Sequence, residues 1–176
     1  MILVTSDDFY YPQVVEENVN FPLCSPIYPP GTRNILSDKS NSADHLITRL
    51  YLSGAGRESH FKLGPVASAR DILCVAPDGT IDNAGNHLWD ATPSCCNFYG
   101  STVDDKAYLE SFVQSVSKSY NVDSKRIYIV GHSNGGFMAH HMTCTHSDQI
   151  AAIVSFSGAT FKEQSSCQPA QPISIL

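Results

Sequence analysis

The sequence predicts an α/β protein, a mainly parallel sheet with helices on both faces, and three observations predict it. Short apolar runs read as buried strands, DILCVAP, KRIYIV and IAAIVSFSG, and they alternate with helical stretches along the carboxyl-terminal two thirds of the chain. Between the first two runs, Leu109, Phe112, Val113, Val116 and Tyr120 fall on one stripe at helical spacing. The run KRIYIV then breaks through Gly131-His132-Ser133-Asn134-Gly135 into a further helical stretch, a strand-to-helix turn built around a serine.

In chain order, residues 1–49 are rich in Pro, Asn and Ser, with PLCSPIYPPGT as a run of breakers, and are expected to be irregular. The opening MILVTSDDFYYPQ has a short apolar run with no basic residues before it and acids close behind, which is not the pattern of a secretory signal. A partial catalytic-type domain is expected over 50–176. At its start LITRLYL, Leu46–Leu52, reads as a strand whose Arg49 argues against full burial. ESHFKLGPVASAR reads as a short helix, DILCVAP as a buried strand, and Asp78–Gly100 as a loop long enough to expect a function. Ser101–Asn121 is the helix of the apolar stripe, with Thr102 and Asp105 spaced as a capping box. KRIYIV follows as a strand, Asn134 to His146 as a helix, IAAIVSFSG as a strand, and ISIL as the opening of another.

Composition sets the bounds. With 176 residues, 42% of them hydrophobic and 16% charged, the chain can bury one sizeable core. Its formal charge of −6, from 11 basic and 17 acidic residues, gives no electrostatic footprint for nucleic acid. No apolar run approaches the roughly 20 residues that span a bilayer, so no membrane partner is expected. The six cysteines include no C-x-x-C pair, so disulfides rather than zinc are the reading, with Cys74 open to being a buried thiol inside its strand. No cofactor or metal is expected. Cys144 lies near the end of the elbow helix and Cys167 just past the following strand, and the return of the chain is expected to bridge them. Cys95 and Cys96 are adjacent, so at most one of them is expected to find a distant partner.

The pattern G-x-S-x-G arises by chance in a chain of this length roughly once in twenty, at about 7% each for Gly and Ser, so the five residues alone say little. Their placement between a strand and a helix says more, because that is the context of a nucleophile elbow. Gly131 and Gly135 are expected to be the positions where a Cβ would collide in so tight a turn. The turn would present the Ser133 hydroxyl above the sheet edge, with the helix amino terminus and the Asn134 amide aimed at a developing oxyanion. The bland alternative is an ordinary turn carrying a surface serine.

Two longer stretches carry a resemblance. GHSNGGFMAHHMTCTHSDQIAAIVSFSGATF, with FKLGPVASARDILCVAPDGTIDNAGNHLWDATPSCCNFYGSTVDDKAYL, is similar to the esterases grouped as polyhydroxybutyrate depolymerases and the related feruloyl and acetylxylan esterases. The resemblance runs from about Ser53 to Leu176. It implies an α/β-hydrolase fold incomplete at its carboxyl-terminal end, Ser133 as nucleophile, the Asn134 amide as oxyanion donor, and hydrolysis of carboxylic esters on polymers or their oligomers. It also implies an extracellular protein, and places Trp89 with Cys95 and Cys96 in a loop near the mouth of the site, Trp89 as a substrate contact.

The resemblance departs at two places. The chain order in such hydrolases is Ser, then Asp, then His, and the Asp follows a strand corresponding to ISIL, where these 176 residues end. A His-Gly turn that supplies a second oxyanion amide corresponds to ITRLYLSGAG, which lacks it. Within the chain, His140 stands seven residues along the helix from Ser133, roughly 10 Å at 1.5 Å per residue, and His141 and His146 stand farther. His132 shares the turn and points elsewhere, and nothing marks His60 or His87 as a base. The expectation is therefore a serine esterase by ancestry in a truncated, nearly inert form, since a serine without a base is a weak nucleophile. The rival readings are a non-catalytic piece that binds esters or glycans through the Trp89 loop, and a thioesterase or peptidase on the same fold.

Overall fold

A computed structural model describes residues 2–5, 61–70, 72–98, 100–120 and 122–176. The elements are β1 (Ile2–Thr5), α1 (Leu63–Ser68), β2 (Ile72–Val75), β3 (Thr80–Ile81), β4 (His87–Leu88), α2 (Asp105–Ser119), β5 (Ile127–His132), α3 (Asn134–His146), β6 (Ala152–Phe156), a single 3-10 turn at Gln164–Ser166, and β7 (Ser174–Ile175). The strand expected at Leu46–Leu52 lies outside the described residues.

The described sheet runs β2-β1-β5-β6-β7, with β3 and β4 as a separate hairpin. From β5 outward it is parallel, Ile129 facing Ile153 and Ile153 facing Ile175. On the other side it is not. β1 lies antiparallel to both of its neighbours, with Leu3 opposite Cys74 and Tyr128. For Ile2–Thr5 alone this corrects the expectation of irregular structure: three of its four residues, Ile2, Val4 and Thr5, are β-branched and suit a strand. Such a run was too short to read against the breaker-rich segment around it.

Two core layers flank this sheet, and alternation along the strands assigns them. Leu73 and Val75 of β2, Ile127 and Ile129 of β5 and Ile153 of β6 join Leu109, Phe112 and Val116 of α2 and Met138, Ala139 and Met142 of α3 in the main cluster. The intervening Cys74 packs instead with Ala67 of α1 and Ala76 on the opposite face. Helices therefore cover both faces, as the alternation of apolar runs predicts. Val75 and Ile153 are fully buried, each contributing about 1.5–3 kcal/mol relative to exposure.

Two boundaries differ from expectation. The capping residue of α2 is Asp104, whose carboxylate accepts from the Ala107 amide at 3.1 Å, rather than Thr102. That bond to the α2 amino terminus also holds the Asp104 pKa below its ordinary value. The long loop contains the β3–β4 hairpin, tightened at its turn by Asp82, whose carboxylate accepts from the Ala84 and Asn86 amides at 2.8 and 2.9 Å. Among the described residues no helix is long and apolar enough to cross a membrane.

Candidate active site

β5 ends and α3 begins within one residue of each other, and Ser133 is the hinge between them. Its backbone stands at φ 52°, ψ −120°, a region that L residues rarely occupy and that costs about 1–3 kcal/mol. Three backbone bonds hold it there: its own N–H donates to the Phe156 carbonyl at 2.7 Å, and its carbonyl accepts from Gly136 and Phe137 at 2.8 and 3.0 Å. Ser133 is thus tied to the end of β6 as well as to α3.

Glycine is needed at this turn, though not at both expected positions. A Cβ on Gly131 would overlap the Gly135 carbonyl, so the expected collision is present there. A Cβ on Gly135 meets nothing within 4 Å, which corrects that part of the reading. The second close approach is instead between Gly136 and Gly158, where a Cβ on Gly136 would lie 2.9 Å from the Gly158 Cα and from Ser155 Oγ. That contact lets α3 sit directly on the loop after β6, and its partner 22 residues away is invisible to local pattern.

Asn134 is the first residue of α3 and is 2% exposed. Amides of a helix's first turn have no intrahelical acceptor and stand at the positive end of its dipole, so this end of α3 favours negative charge. The Asn134 side chain does something sequence reading missed. Its Oδ1 accepts from the Trp89 N–H at 2.7 Å and its Nδ2 donates to the Trp89 carbonyl at 2.9 Å. This two-bond clasp fixes the backbone of the long loop beside the elbow. The Trp89 ring stacks on Tyr108, centroids 6.2 Å apart, and packs against the main core. A second strut follows one residue on: the buried Asp105 carboxylate accepts from the Asp90 amide at 2.6 Å and from the Thr80 hydroxyl at 2.9 Å. Burial raises the Asp105 pKa, the bonds from Asp90 and Thr80 opposing that rise.

The described histidines make contacts elsewhere. The His87 ring nitrogen bonds the Gly79 carbonyl at 3.0 Å, His146 pairs with Glu110 at 3.2 Å, and His132 faces Phe61 with centroids 5.8 Å apart. His141 meets the edge of Phe161 at 5.0 Å. Burial depresses the pKa of both His140 and His141, Lys106 adding to the effect at His141. Among the described residues no side chain hydrogen-bonds the Ser133 hydroxyl. His60 and the SGAG stretch lie outside them.

Cys144 and Cys167 are joined by a disulfide with Cα atoms 4.7 Å apart, fastening α3 to the segment before β7. The Cys95 and Cys96 sulfurs lie against each other across the peptide that joins them. Cys74 is also disulfide-bonded, which closes the free-thiol alternative.

Residues 101–174 match the family model described as phospholipase/carboxylesterase. Among curated proteins the chain is 33% identical over 91 residues to a feruloyl esterase B of Piromyces equi, covering 50% of this chain and 16% of that protein. It is 32% identical over 139 residues to a bifunctional acetylxylan esterase/xylanase of Neocallimastix patriciarum, covering 76% of this chain and 19% of that one. A putative esterase of Nocardia uniformis is 24% identical over 119 residues, 68% of this chain and 33% of its own. The chain thus spans a third or less of the length of each of these relatives.

Proposed function

Since the chain belongs to the esterases of the α/β-hydrolase family, we propose that it carries the nucleophile half of a serine esterase site, directed at ester groups on plant cell-wall polysaccharide. The observation that carries this reading is the geometry at Ser133, a residue held at positive φ between β5 and α3 in the sequence Gly-His-Ser-Asn-Gly. In that role the Ser133 Oγ attacks the ester carbonyl carbon, and the carbonyl oxygen gathers negative charge beside the Asn134 amide at the positive end of α3. The carbonyl then re-forms as the bond to the alcohol oxygen breaks, the proton lost by the Ser133 hydroxyl passing to that oxygen, and water then adds to the acyl-serine, releasing the acid and returning a proton to Ser133. The names of the relatives favour feruloyl or acetyl esters over polyesters, and the disulfides fit an oxidising, extracellular setting.

Proton transfer is the missing service. No described residue stands as base to Ser133, and an oxyanion donor with binding alone leaves about 10³–10⁴ over the uncatalysed rate. Hydrolysis of methyl ferulate and p-nitrophenyl acetate by the 176-residue chain is therefore expected to be slow and to vanish in Ser133→Ala. Equal rates in the two proteins would overturn the assignment. A full enzymatic rate lost in Ser133→Ala and in His60→Ala would place the base at His60.

A further inference from the structure

Backbone strain gathers at one end of the sheet. Among the described residues, three other than glycine stand at positive φ: Lys62 at 51°, Ser133 at 52° and Ser157 at 55°. Ser133 directly follows β5 and Ser157 directly follows β6, at the carboxyl ends of two parallel neighbours. Lys62 follows Phe61, whose ring centroid lies 5.8 Å from those of His132 and Phe156, the last residues of the same two strands. Strained residues persist only where their surroundings over-determine them, and the carboxyl ends of parallel strands are where α/β sheets bind their ligands.

The side chain of Ser157 does not account for its conformation. It is exposed and enters no hydrogen bond among the described residues. What the conformation serves lies on either side of it. The peptide before Ser157 carries the Phe156 carbonyl, which accepts the Ser133 N–H at 2.7 Å. The residue after it is Gly158, whose backbone rests against Gly136 in the first turn of α3, with Ser155 Oγ beside both glycines. Phe156 is fixed by its strand and Gly158 by that contact. Reversing the sign of φ at Ser157 must therefore turn the Phe156 carbonyl away from Ser133 or lift Gly158 from α3.

We propose that Ser157 is a positioning residue for Ser133: its left-handed backbone aims the Phe156 carbonyl at the Ser133 amide and so holds the nucleophile in its own strained conformation. The role belongs to the backbone of Ser157 and not to its hydroxyl. The inference rests on the esterase reading of Ser133 and adds to it a joint on the neighbouring strand.

The test follows amide hydrogen exchange and the rate of fluorophosphonate labelling in the full chain across Ser157→Gly, Ser157→Ala, Ser157→Thr and Ser157→Val. Glycine takes positive φ without steric cost and alanine at about the cost of serine, whereas a β-branched side chain there collides with its own backbone. Ser157→Val should exchange the Ser133 amide about 10-fold faster and label Ser133 about 10-fold more slowly. The amides in the middle of β5 and β6 should keep their protection, which general destabilisation would not spare. Ser157→Thr should fall between, and Ser157→Gly and Ser157→Ala should keep both rates within about twofold of the parent. If Ser157→Val loses protection throughout the sheet, Ser157→Thr decides on the same two measurements. Labelling of Ser133 that is indifferent to the series would overturn the proposal. So would an alanine protein as slow as the valine one, which would put the role in the hydroxyl. A parent chain never labelled at Ser133 would overturn the esterase reading, and this inference with it.

Discussion

The elbow and the loop beside it are held by different physics. Around Ser133 the backbone dictates the geometry: one strained residue, three backbone hydrogen bonds and two glycine contacts leave the chain little choice. Between Trp89 and Asp105 side chains dictate it, with Asn134 gripping Trp89 and Asp105 gripping Asp90 and Thr80 across long stretches of sequence. A backbone-built site tolerates almost no added atom, whereas a side-chain-built one fails one hydrogen bond at a time.

The largest expected effect tests that contrast within the elbow. Gly131→Ala drives a methyl into the Gly135 carbonyl and should destabilise by about 3 kcal/mol or more, while Gly135→Ala, with open space around its Cβ, should fold as the parent does. Equal losses in chemical denaturation would mean that the turn is not held as described. Next comes the clasp. Asn134→Ala removes two bonds and leaves the half-buried Trp89 amide and carbonyl without these partners, a cost of about 1–2 kcal/mol. Trp89 is the single tryptophan in the chain, so its fluorescence reports the loop directly. Acrylamide quenching should rise in Asn134→Ala below its melting temperature, and unaltered quenching would show that the loop needs no clasp.

A smaller effect separates two capping residues. Asp104→Ala should lower the melting temperature and Thr102→Ala should leave it alone, because only Asp104 accepts from an amide of α2. The reverse ranking would restore the capping box read from the sequence. The last effect is set by pH. His140 and His141 have folded pKa values depressed below 6.5 by burial, so the unfolded chain takes up protons that the folded chain refuses. Stability from this source is complete above about pH 6.5 and is lost as pH falls toward the folded values. Urea midpoints measured from pH 7.5 to 5 should decline, and less so in a His140→Gln, His141→Gln protein.

What could be read from the sequence follows the same division. The residues Gly131 to Gly135 announce the elbow because its constraint is local steric crowding, and α3 runs from Asn134 to His146 as its pattern predicts. The stripe from Leu109 to Val116 likewise faces the core, since helical spacing alone decides it. Ile2–Thr5 could not be placed, because a four-residue strand gains its identity from the partners beside it. The contact of Gly136 with Gly158 and the Asn134 clasp join residues far apart in the chain, and neither periodicity nor motif encodes such meetings. Asp105 shows the intermediate case: its place at the start of α2 was readable, its burial under Thr80 and Asp90 was not.

The central claim is that the fold itself makes Ser133 a nucleophile position. The direct measurement is the reaction of the chain with a fluorophosphonate, mapped by peptide mass spectrometry in the folded state and again in concentrated urea. Modification at Ser133 alone, present in the folded chain and absent both in urea and in Ser133→Ala, is the predicted result. Modification that spares Ser133, or that proceeds equally well in the unfolded chain, would contradict it.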